Sequence, residues 1–115
     1  MMPVYKKLKI IRNSIARLPG LKDDKDFDIA LEIGYYQSIA EPLTLKRLLL
    51  LDIAGHATVR RHLSRMIREG TVIKFIPPND HRTAHFTLNK GTIEALDHCL
   101  QKIHQTLCDS PGGCA

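Results

Sequence analysis

Residues 44–70, TLKRLLLLDIAGHATVRRHLSRMIREG, and residues 71–88, TVIKFIPPNDHRTAHFTL, decide the fold of this chain. In the first string Thr44 stands as a cap before a short apolar helix, and Ala54-Gly55 supplies a tight turn. A second helix then runs from His56 to Glu69 and is stopped by Gly70. On an ideal helical circle Val59, Leu63, Met66 and Ile67 share one arc, while Arg60, Arg61, Ser64, Arg65 and Arg68 share the opposite one. One face of that helix suits a protein bed and the other a polyanion. Two helices joined by a short turn, the second of them basic, form a helix-turn-helix pattern. In the second string, residues 71–76 and 83–88 are rich in β-branched and aromatic side chains, and Pro77-Pro78-Asn79-Asp80 between them is turn chemistry. A hairpin directly after such a helix is a wing, with Asp80, His81 and Arg82 at its tip.

The flanking segments read as supports. Val4, Leu8, Ile11, Ile15 and Leu18 alternate at spacings of four and three, a narrow seam on a first helix that ends at Pro19-Gly20. Ile93, Leu96, Leu100, Ile103 and Leu107 repeat the pattern on a last helix from about Lys90 to Leu107, with Asn89 as its cap. Such seams call for a partner helix, inside the chain or across a two-fold axis. Between them, residues 21–26 form a charged linker, and Asp26 reads as the N-cap of a helix reaching about Ala40. That helix is apolar nearly all round and is expected to be buried on several sides. Tyr35 and Tyr36 read as core, with a small-molecule pocket as the alternative.

A chain of 115 residues with 43% apolar and 25% charged residues fits one domain with a modest core. Its net charge is +5, but the charge is unevenly placed. Residues 42–90 hold Lys46, Arg47, Arg60, Arg61, Arg65, Arg68, Lys74, Arg82 and Lys90 against only Asp52, Glu69 and Asp80. Acids cluster just before, at Asp23, Asp24, Asp26, Asp28, Glu32 and Glu41. This asymmetry favours nucleic acid as the partner. Three cysteines without C-x-x-C spacing, and no signal peptide, point to a reduced cytoplasmic protein. No apolar run is long enough to span a bilayer. Neither a nucleophile-base set nor a glycine-rich phosphate loop is present, so the chain is not expected to be an enzyme and no cofactor is implied. His81 with His85, and His98 with Cys99, do not converge as metal ligands would, so no metal site is expected. His56 and His62 are better placed for groove-edge or phosphate contacts.

Leu43-Thr44, Leu48, Thr58-Val59, Leu63 and Ile67 before Glu69-Gly70, then Asp80-x-Arg82 and Leu88-Asn89-Lys90-Gly91, give a pattern that resembles the winged-helix regulators of the multiple-antibiotic-resistance (MarR) type. The likeness covers about residues 42–92. The expected fold is mainly α with a small β-hairpin wing, a winged helix-turn-helix over residues 42–89. Helices within residues 1–20 and 90–108 would form a dimerisation region, and residues 109–115 a loose tail. The expected function is sequence-specific binding of double-stranded DNA by a homodimeric transcriptional regulator, a repressor by resemblance. Arg60, Arg61, Ser64 and Arg65, with His56, Ala57 and Thr58, would face the major groove. Lys46, Arg47, Arg68 and Lys74 would meet phosphates, and Arg82 the minor groove; Thr44 and His81 complete the expected contacts. Two other readings remain: a winged-helix module that binds protein within a larger assembly, and a sensor in which Tyr35, Tyr36 or the cysteines detect a small-molecule effector or an oxidant.

Overall fold

The computed structural model describes residues 2–79 and 83–108, so the wing tip at Asp80, His81 and Arg82 and the tail at 109–115 lie outside the described residues. Five helices and three short strands follow in the order α1 (Met2–Ala16), α2 (Asp24–Ser38), β1 (Leu43–Thr44), α3 (Leu45–Leu50), α4 (His56–Arg68), β2 (Val72–Phe75), β3 (His85–Leu88) and α5 (Lys90–Leu107). The sequence pattern anticipates the helices to within about two residues at most ends, the ordinary uncertainty of a helix boundary. It does not anticipate β1. The wing is the β2–β3 part of a three-stranded antiparallel sheet in the order β1-β3-β2, with Leu43 opposite Phe86 and Thr44 opposite His85. Across the hairpin Val72 faces Leu88 and Phe75 faces His85.

Local chemistry sets the element ends. Asp23, not Asp26, caps α2: its side chain accepts from the Asp26 backbone N–H at 2.9 Å. Thr44 caps α3 by accepting from the Arg47 N–H, and Asn89 caps α5 by accepting from the Thr92 N–H at 2.6 Å. The Asn89 amide also donates to the Gly70 carbonyl, and its backbone N–H to Thr71 O, so one side chain ties the end of α4 to the start of α5. Gly70 closes α4 at φ +83°, with the Thr71 N–H returning to Met66 O at 2.9 Å. Gly20 sits at φ +80°, and a Cβ there would lie 2.6 Å from Thr71 Oγ1. Only glycine lets the turn after α1 pass that close to the end of α4.

The core is built from α2, α3, α4 and the sheet. Ile29, Ile33, Leu43, Leu48, Val59, Met66 and Val72 are almost wholly inaccessible, with Leu63, Phe86 and Leu88 beside them. Each such side chain contributes on the order of 1.5–3 kcal/mol through burial. Gln37 of α2 accepts from the Leu88 N–H at 2.8 Å, fixing the sheet to that helix. By contrast α1 and α5 pack against each other as an arm, with Lys7 Nζ near Leu107 O, and the molecule measures 54 × 27 × 23 Å.

Two expectations about packing need correction. α2 is covered on several sides, by α3, α4 and the sheet, but Tyr35 is not core: it is exposed with Leu31 and Ile39, because α5 covers only part of the outer side of α2 and leaves a groove of about 660 Å³ between the two helices. Nor are the two seams, expected in a dimerisation region, wholly free of the chain's own core. Leu18 is buried in the chain's own core and Ile15, Leu96 and Ile103 pack against it, whereas Val4, Leu8, Ile93, Leu100 and Leu107 stay exposed. No helix among the described residues is long and apolar enough to cross a membrane.

Candidate nucleic-acid interface

The packed stripe of α4, Val59, Leu63 and Met66, holds the helix against the core and turns its other side outward. On that side His56, Ala57, Arg60, Arg61, Ser64 and Arg68 are all exposed, and Thr58 is half-buried. Among the described residues, no carboxylate lies within ion-pair distance of Arg60, Arg61 or Arg68. The helix begins at Gly55 with no side-chain cap, so its first-turn N–H groups, which have no intrahelical acceptor, gain none from a capping side chain either. Three unpaired guanidinium groups beyond an uncapped helix start form a surface suited to phosphate and to the acceptor edges of guanine.

The expected auxiliary contacts fall around this face. Lys46 and Arg47 on α3 are exposed, with the Arg47 guanidinium 5.2 Å from the Tyr36 ring centroid in cation–π geometry. Lys74 on β2 is exposed, and Thr44 is half-buried with its hydroxyl used as the α3 cap. His81 and Arg82, expected at the wing tip, are outside the described residues.

Arg65 is the correction. Its Nη2 donates to both oxygens of Asp26 at 2.5 and 2.7 Å, and its Nη1 to Glu69 at 3.2 Å. Asp26 is wholly buried, and His62 Nδ1 lies 2.8 Å from its Oδ1. The Lys22 backbone N–H donates to the other oxygen at 2.9 Å, and Lys22 Nζ reaches Glu69 at 2.7 Å. Burial pushes the Asp26 carboxyl up, but the hydrogen bonds from Arg65, His62 and the Lys22 amide outweigh it and hold the group below the usual carboxylate range. The hydrogen bond to Asp26 holds the Arg65 guanidinium above its usual value against the opposing effect of burial. Arg65 and His62 therefore face α2, not the groove side of α4.

Asp23, Asp26 and His62 present ligand atoms within 4.8 Å of one another, a grouping that a search for histidine pairs misses. The Arg65 guanidinium already sits on Asp26 as its cation, so the cluster is an internal ion pair and not a cage built for a metal. Cys99 is buried, and burial pushes its thiol up, which keeps it in the unreactive protonated form.

The fold is similar to that of solved transcriptional regulators. A cysteine-to-serine mutant of MarR from E. coli, solved in complex with operator DNA, matches with a TM-score of 0.61 at 21% identity, over 97% of this chain and 80% of that one. Wild-type apo MarR from E. coli matches at 0.61 and 22% identity, over 94% and 78%. The transcriptional regulator Tm0710 from Thermotoga maritima matches at 0.55 and 18% identity, over 91% and 75%. No protein-family model matches the chain, and no curated protein sequence does. Element order, sheet topology and these likenesses agree on one architecture: the chain has the MarR-type winged helix-turn-helix fold.

Proposed function

We propose that this chain is a sequence-specific double-stranded DNA-binding transcriptional regulator, working as a homodimer in the cytoplasm and repressing where its site overlaps a promoter. The observation that carries the reading is the outward face of α4, where Arg60, Arg61 and Arg68 stand exposed and unpaired among the described residues while the opposite face is locked into the core. Arg60, Arg61 and Ser64 would enter the major groove; Lys46, Arg47, Arg68 and Lys74 would meet phosphates, with Arg82 at the minor groove. The likeness to a MarR structure that holds operator DNA supports the same use of the fold.

The homodimer is supported by apolar side chains that the monomer leaves in water. Val4, Tyr5 and Leu8 on α1 and Ile93, Leu100 and Leu107 on α5 are all more than two-fifths exposed, on the two helices that form the arm. Pairing across a two-fold axis would cover them. Sedimentation of wild type at micromolar concentration should give a dimer, and Leu100→Asp should give a monomer with about a hundredfold weaker DNA binding through lost bivalency. A wild-type monomer removes the homodimer from the proposal.

Selection of bound sites from random duplex DNA tests the whole reading. Two recognition helices on one face of the duplex predict an inverted repeat with half-site centres about 10 base pairs apart, or a multiple of that turn. A pool that stays random after several rounds overturns it and leaves the winged helix as a protein-binding module. One observation favours an added sensing role: the groove between α2 and α5 is lined by Phe27, Leu31, Tyr35, Leu88 and Leu100, walls for an apolar small molecule. An effector seated there would be detected as a loss of DNA affinity on addition. Thiol sensing at Cys99 gains no such support, since that thiol is held protonated.

A further inference from the structure

Apolar contacts hold a helix against its bed but resist rolling weakly, because they have no direction. Directional bonds resist it better. Among the described residues, the side-chain hydrogen bonds between α2 and α4 converge on one buried group, the Asp26 carboxylate, which takes Arg65 Nη2 on both oxygens and His62 Nδ1 on one. Its own position is fixed from behind by the Lys22 N–H on Oδ2 and by the Asp23 cap on its backbone N–H. Lys22 and Arg65 then meet again on Glu69, at the last turn of α4. The first turn of α2, with Lys22 and Asp23 just before it, thus grips one flank of α4, and the grip lies on the side next to the exposed face.

Building on the DNA-binding reading above, we propose that Asp26 is a positioning residue for sequence recognition: it fixes the roll of α4, and so the placement of Arg60, Arg61 and Ser64, and it withholds the Arg65 charge from DNA. A roll of about 20° moves a group at the side-chain radius of about 6 Å by about 2 Å. A bidentate contact to a base edge does not survive that displacement. Loss of the Asp26 charge also leaves Arg65 with Glu69 alone as its counter-ion, at 3.2 Å, and so adds net positive charge beside the DNA, which strengthens attraction to any phosphate backbone whatever its sequence. Loss of the clamp therefore acts in opposite directions on specific and non-specific binding, which a general loosening of the fold does not do.

The test measures affinity for the selected duplex and for a scrambled duplex over a salt series, on variants whose folded fraction is checked by thermal melting. For Asp26→Asn the ratio of the two affinities should fall about tenfold, the loss of one well-made base contact per half-site. Its binding to scrambled DNA should tighten, with a salt dependence steeper by about one per protomer. Arg65→Gln, which breaks the clamp and frees no cation, should lower the ratio with the salt dependence unchanged. The double variant should match Arg65→Gln alone. Should either single variant fail to fold, the double variant, which leaves no buried carboxylate without its cation, decides by its ratio. A discriminating wild type with the ratio unchanged in Asp26→Asn or in Arg65→Gln overturns the positioning role alone. Arg65→Gln losing ratio and salt dependence together identifies Arg65 as a DNA contact and overturns it as well. A wild type that binds both duplexes equally overturns the DNA-binding reading, and the positioning role with it.

Discussion

Arg61 and Arg65 are the same residue one turn apart on the same helix, and they have opposite fates. Arg61 projects into solvent with no carboxylate near it among the described residues; Arg65 ends on a buried aspartate that lies 39 positions back in the chain. The first is available to a partner, while the second is spent on the fold. What separates them is which flank of α4 the neighbouring helix covers. Taking the centre of the apolar arc near Val59, Leu63 and Met66, Arg65 sits about 130° from it on the flank that α2 approaches. Arg60 sits about 90° away on the other flank, which is open. Angular distance from the core thus does not rank exposure here, because the second helix breaks the symmetry.

The comparison breaks most severely at Asp26. Asp26→Ala removes the buried acceptor shared by Arg65, His62 and the Lys22 N–H, so it should destabilise the fold by about 3–5 kcal/mol, read by denaturant unfolding at neutral pH. The pH dependence has a definite sign. Because the folded-state value of Asp26 is depressed, its contribution is present above the unfolded value of about 3.9 and is lost as pH falls through the lower folded value. The stability gap between wild type and Asp26→Ala should therefore be widest above about pH 4 and narrow below it. A gap independent of pH would mean that the lost carboxylate matters only through its volume.

Arg61 sharpens the contrast from the other side. Arg61→Ala removes an exposed side chain with no ion pair among the described residues, so its melting temperature should match wild type, while affinity for the selected site drops by about 1–3 kcal/mol if the guanidinium reads a base. A change in melting temperature without a change in affinity would reverse the roles given to Arg61 and Arg65. The smallest effect belongs to Arg68, exposed near the end of the same helix. Arg68→Ala should weaken selected and scrambled duplex alike and lower the salt dependence by about one per protomer. Preserved salt dependence would place Arg68 away from the phosphates.

Much of this is legible in the sequence, and the exceptions have physical reasons. The period of Val59, Leu63 and Met66, the Gly70 stop and the β-branched runs around Pro77-Pro78 define α4 and the wing without help from the rest of the chain. β1 was hidden because two residues, Leu43 and Thr44, carry no periodicity; they are a strand only because β3 pairs with them. The cap of α2 was misplaced because Asp23, Asp24 and Asp26 all suit a helix start, and what selects Asp23 is the tertiary capture of Asp26 by Arg65 and His62. The candidate site was legible as a helix face but not as a set of side chains. A charge pattern shows where guanidinium groups cluster, whereas the carboxylate that removes one of them comes from another helix and leaves no local trace. The narrow seams of α1 and α5 were readable as seams, yet their division between the chain's own core and its exposed surface depends on the groove between α2 and α5.

The central claim is that the outward face of α4 reads DNA sequence. Its most direct test is the affinity of the wild-type protein for the selected duplex against a scrambled duplex of equal length at physiological salt. The expected ratio is about a thousandfold or more. Equal affinities would contradict it, and would reduce the arginines of α4 to a basic surface that attracts any DNA.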